Sequence, residues 1–65
     1  MFIRLTETTS HATVIVNTEQ INKIRPIDKD EVIIYMRDGD HIYADISFDK
    51  LAGLLLRKDM LVYDN

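Results

Sequence analysis

The dipeptide Asp38-Gly39 constrains this chain more than any other feature, because the segments on either side of it have the composition of β-strands. Residues 31–37 are rich in β-branched and aromatic side chains, and residues 40–46 alternate between polar and apolar ones. Asp-Gly between two such segments is a strong signal for a β-hairpin. The sequence therefore predicts a central antiparallel hairpin.

The length of the hairpin loop decides which side chains share a face. A three-residue loop of residues 37–39 needs a left-handed residue at its last position, where the chain has Gly39. One face is then apolar: Val32, Ile34, Met36, Ile42, Ala44 and Ile46. The other face carries Glu31, Ile33, Tyr35, His41, Tyr43 and Asp45. A two-residue loop would mix polar and apolar side chains on both faces, so we predict the three-residue loop with the apolar face in the core.

Two strands and a turn are predicted at the start of the chain. Residues 2–7 alternate, and the purely apolar pair Ile3 and Leu5 is expected to face inward. Residues 12–16 form a second strand that pairs with the first in a hairpin. Asn17 or Thr18 then caps a single helical turn or an Asx turn.

A third short strand is predicted over residues 21–25. Proline has no N–H to donate to a neighbouring strand, so the strand should end at Pro26, lie at a sheet edge or contain a bulge. Residues 27–30 are expected to form the loop that leads into the central hairpin.

A helix over residues 48–58 is predicted after the hairpin, with Ser47 as its N-cap. An acidic residue in the first turn and basic residues in the last match the helix dipole. One helical face should cover the sheet and consists of Phe48, Leu51, Ala52 and Leu55. Gly53 is unfavourable inside a helix, and close approach of another backbone is one reason to retain it.

The sequence therefore predicts one α+β domain spanning residues 1–65. Its expected architecture is a small, bent antiparallel β-sheet of about five strands, barrel-like or a meander, with one C-terminal helix packed on it. The apolar residues 60–63 are open to two interpretations, a sixth strand or a tail swapped between subunits.

Self-association is expected because a chain of 65 residues without cysteine has few other ways to gain stability. Hydrophobic residues make up 46% of the chain, more than a lone domain of this size easily buries. We therefore expect a homo-oligomer, and a dimer in particular. Leu56, which points away from the core face of the helix, and Tyr63 are the candidate interface residues; a scattered exposed leucine is the alternative for Leu56.

Charge and residue types argue against catalysis and against most ligands. The net charge is −3, the pI is about 5.1, and the eight basic residues are scattered, so nucleic acid is not the favoured partner. No metal-ligand spacing, phosphate-binding glycine loop or nucleophile motif occurs, so we predict no enzyme, no cofactor and no metal.

The start of the chain does not look like a signal peptide and no stretch is long enough to span a bilayer, so the cytoplasm is the expected location.

Tyr35, His41 and Tyr43 form the most suggestive cluster, together with Ile33 on the same face of the hairpin. Aromatic side chains combine a large contact area with a polar group, and this favours a protein-binding surface. Tyrosines on a sheet also stack on bases in single-strand binders, which would require Arg4 and Arg25 beside them. Cover by the chain's own tail or by a second subunit is the third interpretation.

The order of these motifs resembles the small FlbD/SwrD family of flagellar proteins. The resemblance rests on residues 3–6, residues 16–19 with Ile21 and Ile24, Val32-Ile33, Asp38-Gly39 and Ser47, and it covers the chain to about residue 56. It implies a non-enzymatic accessory protein in bacterial motility.

The strand–hairpin–helix order is also similar to part of the LytTR DNA-binding domain. Short acidic proteins of this kind are also encoded by phages and mobile elements, where they often inhibit a host protein.

Overall fold

Five strands, a 3-10 turn and one helix make up residues 1–57, the part of the chain that the computed structural model describes. The elements are β1 (Phe2–Thr6), β2 (Thr13–Asn17), the 3-10 turn (Thr18–Gln20), β3 (Ile21–Asp28), β4 (Glu31–Met36), β5 (His41–Ala44) and α1 (Phe48–Arg57). The predicted α+β class is confirmed. The predicted tail 60–63 lies outside the described residues.

The strands form two antiparallel sheets, where the sequence led us to expect one. β1 pairs with β2, and β3, β4 and β5 form a second sheet in that order. The two sheets meet at an isolated bridge between Glu7 and Ala44. The N–H of Thr8 donates to the carbonyl of Tyr43 at 2.8 Å, and the N–H of Asp45 donates to that of Thr6 at 2.9 Å. This pairing is confined to the ends of β1 and β5, and it is too short to make one continuous sheet.

The central hairpin has the predicted register. Val32 lies opposite Ala44, and Ile34 lies opposite Ile42. The N–H of Met36 donates to the carbonyl of Asp40 at 2.8 Å, and the N–H of Gly39 donates to that of Met36 at 3.1 Å. Gly39 has a φ of 94°, a conformation that side-chain-bearing residues rarely adopt. The three-residue loop is therefore confirmed.

The core lies on the predicted face of the hairpin. Its buried residues are Leu5, Val16, Val32, Ile34, Ala44, Leu51 and Leu55. Partly buried residues pack around them, and these include Ile3, Met36, Ile42 and Ile46. All of the apolar hairpin face therefore contributes to the core, and so does the inward pair of β1.

Helix α1 begins at Phe48, directly after Ser47, the predicted N-cap. The hydroxyl of Ser47 accepts a hydrogen bond from the N–H of Lys50 at 3.1 Å. Leu51 and Leu55 are buried in the core cluster, whereas Phe48 remains 38% exposed. The helix thus supplies two leucines, one turn apart, to the core, and the phenylalanine expected beside them lies at its margin.

Strand β3 is longer than predicted and continues through Pro26 to Asp28. Among the described strands it pairs with β4 alone, so it lies at the edge of its sheet. The register shifts between Ile21 and Lys23 and again between Pro26 and Asp28. An edge position and bulges are the settings in which a strand accommodates proline, so two of the three predicted alternatives occur together.

Gly53 does not mark a close approach of another backbone. A Cβ placed on this residue would find no heavy atom within 4 Å beyond its own helix backbone and sequence neighbours, among the residues that the structure describes. Residues 1–57 therefore do not supply the close approach that the sequence suggested, and nothing in the described structure explains a glycine here.

The two glycines should respond in opposite ways to alanine. Gly53→Ala should raise the free energy of unfolding by about 0.5–1 kcal/mol, because alanine loses less backbone entropy in a helix. Gly39→Ala should lower it by about 1–2 kcal/mol, because the left-handed conformation strains a residue with a Cβ. Urea denaturation of both variants tests this. Shifts in the same direction would contradict it.

Candidate functional site

The face of the three-stranded sheet opposite the core brings together the predicted aromatic cluster and two cations. Directly paired residues on neighbouring strands point to the same face. One row across β3, β4 and β5 consists of Lys23, Tyr35 and His41, and the next consists of Arg25, Ile33 and Tyr43. We refer to these six residues as the aromatic face.

The rings on the aromatic face contact one another in a chain. The ring centroids of Tyr35 and His41 are 6.5 Å apart with the planes tilted by 42°. Those of His41 and Tyr43 are 5.6 Å apart at 84°, the edge-to-face arrangement that aromatic pairs prefer. His41 therefore links the two tyrosines, which come from different strands.

A cation lies over the first ring of this chain. The ammonium of Lys23 is 5.0 Å from the ring centroid of Tyr35, a distance at which the face of the ring attracts positive charge. Arg25 is two residues along β3 and lies opposite Ile33. Positive charge therefore borders the rings along β3, although the whole chain is acidic.

Burial on the aromatic face decreases from its centre outward. Ile33 is only 8% exposed, yet it does not belong to the core cluster. Tyr35 and Tyr43 are half-buried, and His41 is exposed. The surface thus has a buried aliphatic centre surrounded by amphipathic rings. Such a surface can gain apolar contact with a partner, and its hydroxyl, imidazole and ammonium groups can form polar contacts with the same partner.

The remaining predicted site residues lie elsewhere. Arg25 joins the aromatic face, but Arg4 does not, because it lies on β1 opposite Ile15. Leu56 is 39% exposed on α1. Tyr63 lies outside the described residues. The sequence did not single out Lys23, although the alternation of Lys23 and Arg25 around Ile24 was a signal for it.

Arg4 lines a surface depression of about 490 Å³ between β1 and the start of α1. Its other charged residues are Asp30, Asp45 and Lys50, so the signs balance. Asp45 accepts a hydrogen bond from the hydroxyl of Thr8 at 2.8 Å, and Ser47 caps α1. The Asp45 carboxylate and the Ser47 hydroxyl thus have structural partners, and within residues 1–57 no hydrogen bond joins the two as a nucleophile and its base.

Residues 1–57 hold neither a cluster of metal-ligating side chains nor a helix suited to span a membrane. Within that range, no three histidine, aspartate or glutamate side chains lie close enough together to hold a metal ion. None of the helices there combines the length and the apolar composition needed to cross a bilayer.

Comparison with known proteins gives no relative. No protein-family model, curated protein or solved structure matches the chain. The resemblance to the FlbD/SwrD family therefore rests on the sequence pattern alone and stays a prediction.

The two faces of the hairpin should differ sharply in their tolerance of truncation. Ile34→Ala should lower the free energy of unfolding by about 2–5 kcal/mol, because Ile34 is fully buried in the core. His41→Ala should change it by less than about 0.5 kcal/mol, because that side chain is exposed. Thermal and urea unfolding measure both values. A large loss in the histidine variant would show that the aromatic face is part of the folding core.

Proposed function

We propose that this protein is a non-catalytic protein–protein interaction module that binds its partner through Tyr35, His41 and Tyr43. The observation that carries the proposal is the chain of ring contacts around the buried Ile33, on the side of the sheet opposite the core. Rings that already contact one another lose little conformational entropy on binding, and aromatic side chains dominate the energetics of many interfaces.

The flanking charges suggest what kind of protein surface fits. Lys23 and Arg25 supply positive charge on the β3 side, and they favour a partner with carboxylates next to an apolar patch. Such charges steer encounter and fix orientation, whereas the rings supply contact area. The partner proposed here is thus an acidic, apolar surface.

We also propose that the chain self-associates, with a dimer as the favoured form. Leu56 supports this because it is 39% exposed on the helix. Leu56 and Tyr63 are the contact residues suggested by the sequence. The two proposals are independent, since hetero-partner binding through the aromatic face does not require a dimer.

The cellular role that we propose is that of an accessory protein in bacterial motility, acting in the cytoplasm. The order of two strands, a three-stranded meander and a helix is compatible with the FlbD/SwrD resemblance. We further propose a barrel-like arrangement of the two sheets with α1 packed on it, and the short pairing between the ends of β1 and β5 supports this. An inhibitor encoded by a phage or mobile element is the alternative role.

Site-specific photo-cross-linking should reveal the partner at the aromatic face. A photoreactive phenylalanine analogue at Tyr35 or Tyr43 should yield the same protein adduct in cells of the source organism, because both rings would contact that partner. The analogue at Phe48, an aromatic residue on α1 that is 38% exposed, is the matched control and should not yield it. Absence of an adduct at both tyrosines, or an equal yield at Phe48, would contradict the proposal.

Truncation of a ring should then weaken the purified complex without unfolding the module. We expect Tyr43→Ala to raise the dissociation constant for the cross-linked partner at least about tenfold, as is usual for a central aromatic contact. Phe48→Ala serves as the control, because Phe48 is an aromatic residue on α1 and not on the aromatic face. Equal affinities of the two variants would remove Tyr43 from the interface.

Nucleic-acid binding by the aromatic face is the second candidate, and a specific observation favours it. A cation lies 5.0 Å from the Tyr35 ring, and Arg25 lies on the same face, as in sheets that bind single strands by stacking and charge. Against it stand the net charge of −3 and the position of Arg4 on β1.

Gel-shift assays with single- and double-stranded probes at low salt separate the two candidates. Protein-partner function predicts no shift for either probe. A shift that weakens steeply with added salt and is lost in Lys23→Ala would establish nucleic-acid binding in its place, because release of counterions from phosphates makes such binding salt-dependent.

A further inference from the structure

Strand β2 presents a row of backbone groups that no described residue pairs with. The N–H of Glu7 donates to the carbonyl of Ala12 at 2.8 Å, and the N–H of Thr18 donates to that of Met1 at 2.9 Å. These two bonds bracket the β1–β2 ladder, in which hydrogen-bonded pairs alternate with non-bonded ones. The alternation assigns Val14 and Val16 to the pairs that bond to β1.

The intervening residues of β2 therefore turn their backbone N–H and C=O groups away from β1. Thr13 and Ile15 lie in non-bonded pairs, opposite Thr6 and Arg4. Within residues 1–57, no strand adjoins the other side of β2. Ile15 and Thr13 thus form an open edge, at which another strand can add with its own backbone groups.

This edge lacks the features that normally block such addition. Natural sheet edges carry lysine, proline or bulges that prevent pairing with another chain. β3, the edge of the second sheet, has all three, with Lys23, Pro26 and two register shifts. β2 has the sequence Thr-Val-Ile-Val-Asn, without charge, proline or a register shift.

The side chains at this edge are apolar and exposed. Ile15 is 70% exposed and Phe2 is 67% exposed, the two largest exposures among the large hydrophobic residues of the described chain. Both lie on the outer face of the β1–β2 sheet, where Phe2 is diagonal to Ile15 across the strand pair. An added strand would therefore cover apolar surface as well as satisfy backbone groups.

We propose that β2 pairs antiparallel with β2 of a second copy of this chain, about a two-fold axis at Ile15. The two sheets would become one four-stranded sheet, β1–β2 joined to β2–β1 of the second copy. This rests on the proposed self-association and assigns it to the β2 edge, in place of Leu56 and Tyr63. It uses no residue of the aromatic face.

A second copy fits this edge because β2 is complementary to itself. In the two-fold register Ile15 faces the same residue of the other copy, and Thr13 faces Asn17. No like charges oppose one another, and every side chain has the high β-propensity or small polar character that cross-strand pairs tolerate. Closed two-fold pairing also removes the open edge from both subunits, so association stops at the dimer.

Lysine at the centre of the edge should prevent dimerisation. Ile15→Lys places two like charges opposite each other at the axis, and we expect the dimer dissociation constant to rise at least about tenfold. Ile27→Lys is the matched control, because Ile27 is an isoleucine on β3 that is 48% exposed. Sedimentation equilibrium of both variants and the unmodified chain gives the three constants, with circular dichroism to verify folding.

Amide hydrogen exchange tests the pairing without any substitution. The amides of Thr13 and Ile15 should exchange more slowly as protein concentration rises, because the dimer gives them acceptors that residues 1–57 of one subunit do not. The amides of Val14 and Val16 should gain less protection than those of Thr13 and Ile15, because they already bond to β1 within one subunit.

Each outcome decides between the edge pairing and self-association in general. A chain that stays monomeric at millimolar concentration overturns both. A dimer that persists in Ile15→Lys, or whose Thr13 and Ile15 amides exchange at the same rate at every concentration, overturns the edge pairing alone. Dissociation in Leu56→Lys would then place self-association on the helix. Loss of the dimer in Ile15→Lys but not in Ile27→Lys, with the concentration-dependent protection, supports the proposal.

Discussion

The left-handed conformation of Gly39 determines which side of this molecule is core and which side is surface. With a φ of 94°, this residue lets a three-residue loop join the bonded pair Met36 and Asp40, and it sets Ile34 opposite Ile42. A shift of the register by one residue would turn every side chain of one strand to the other face. The burial of Val32, Ile34 and Ala44 and the grouping of the rings on the reverse side are therefore two consequences of one turn.

Features set by short-range geometry were predictable from the sequence. The hairpin register follows from an Asp-Gly turn between two patterned segments, and the start of α1 follows from a serine that caps it. The inward pair of β1, Ile3 and Leu5, follows from alternation. In each case the neighbours in the sequence contain the physical cause.

Features set by partners distant in sequence were not predictable in the same way. The continuation of β3 through Pro26 depends on its edge position, which only the complete strand order reveals. Ile21 and Ile24 both pack against the core although they are three residues apart, because the register shifts between Ile21 and Lys23. That shift breaks the two-residue period, so the alternation that begins at Ile21 does not continue to Lys23. The division into two sheets likewise reflects how short the β1–β5 pairing is.

The candidate surfaces show the same division. Tyr35, His41 and Tyr43 could be grouped from the hairpin alone, whereas the cation over Tyr35 could be placed only from the pairing of β3 with β4. The open edge of β2 required the strand order and the hydrogen-bond alternation. The aromatic face and the edge proposed for self-association thus lie on different sheets, and the two surfaces share no residue.

Proton–proton contacts across the β4–β5 hairpin, measured by solution NMR, test the central claim most directly. In the register described here, Tyr35 with His41 and Ile33 with Tyr43 are the non-hydrogen-bonded pairs. Their Hα atoms should therefore give strong cross-strand nuclear Overhauser effects. Contacts that instead join Ile34 to Tyr43 and Val32 to Asp45 would establish the two-residue loop, and would contradict the assignment of the apolar face to the core and the rings to the surface.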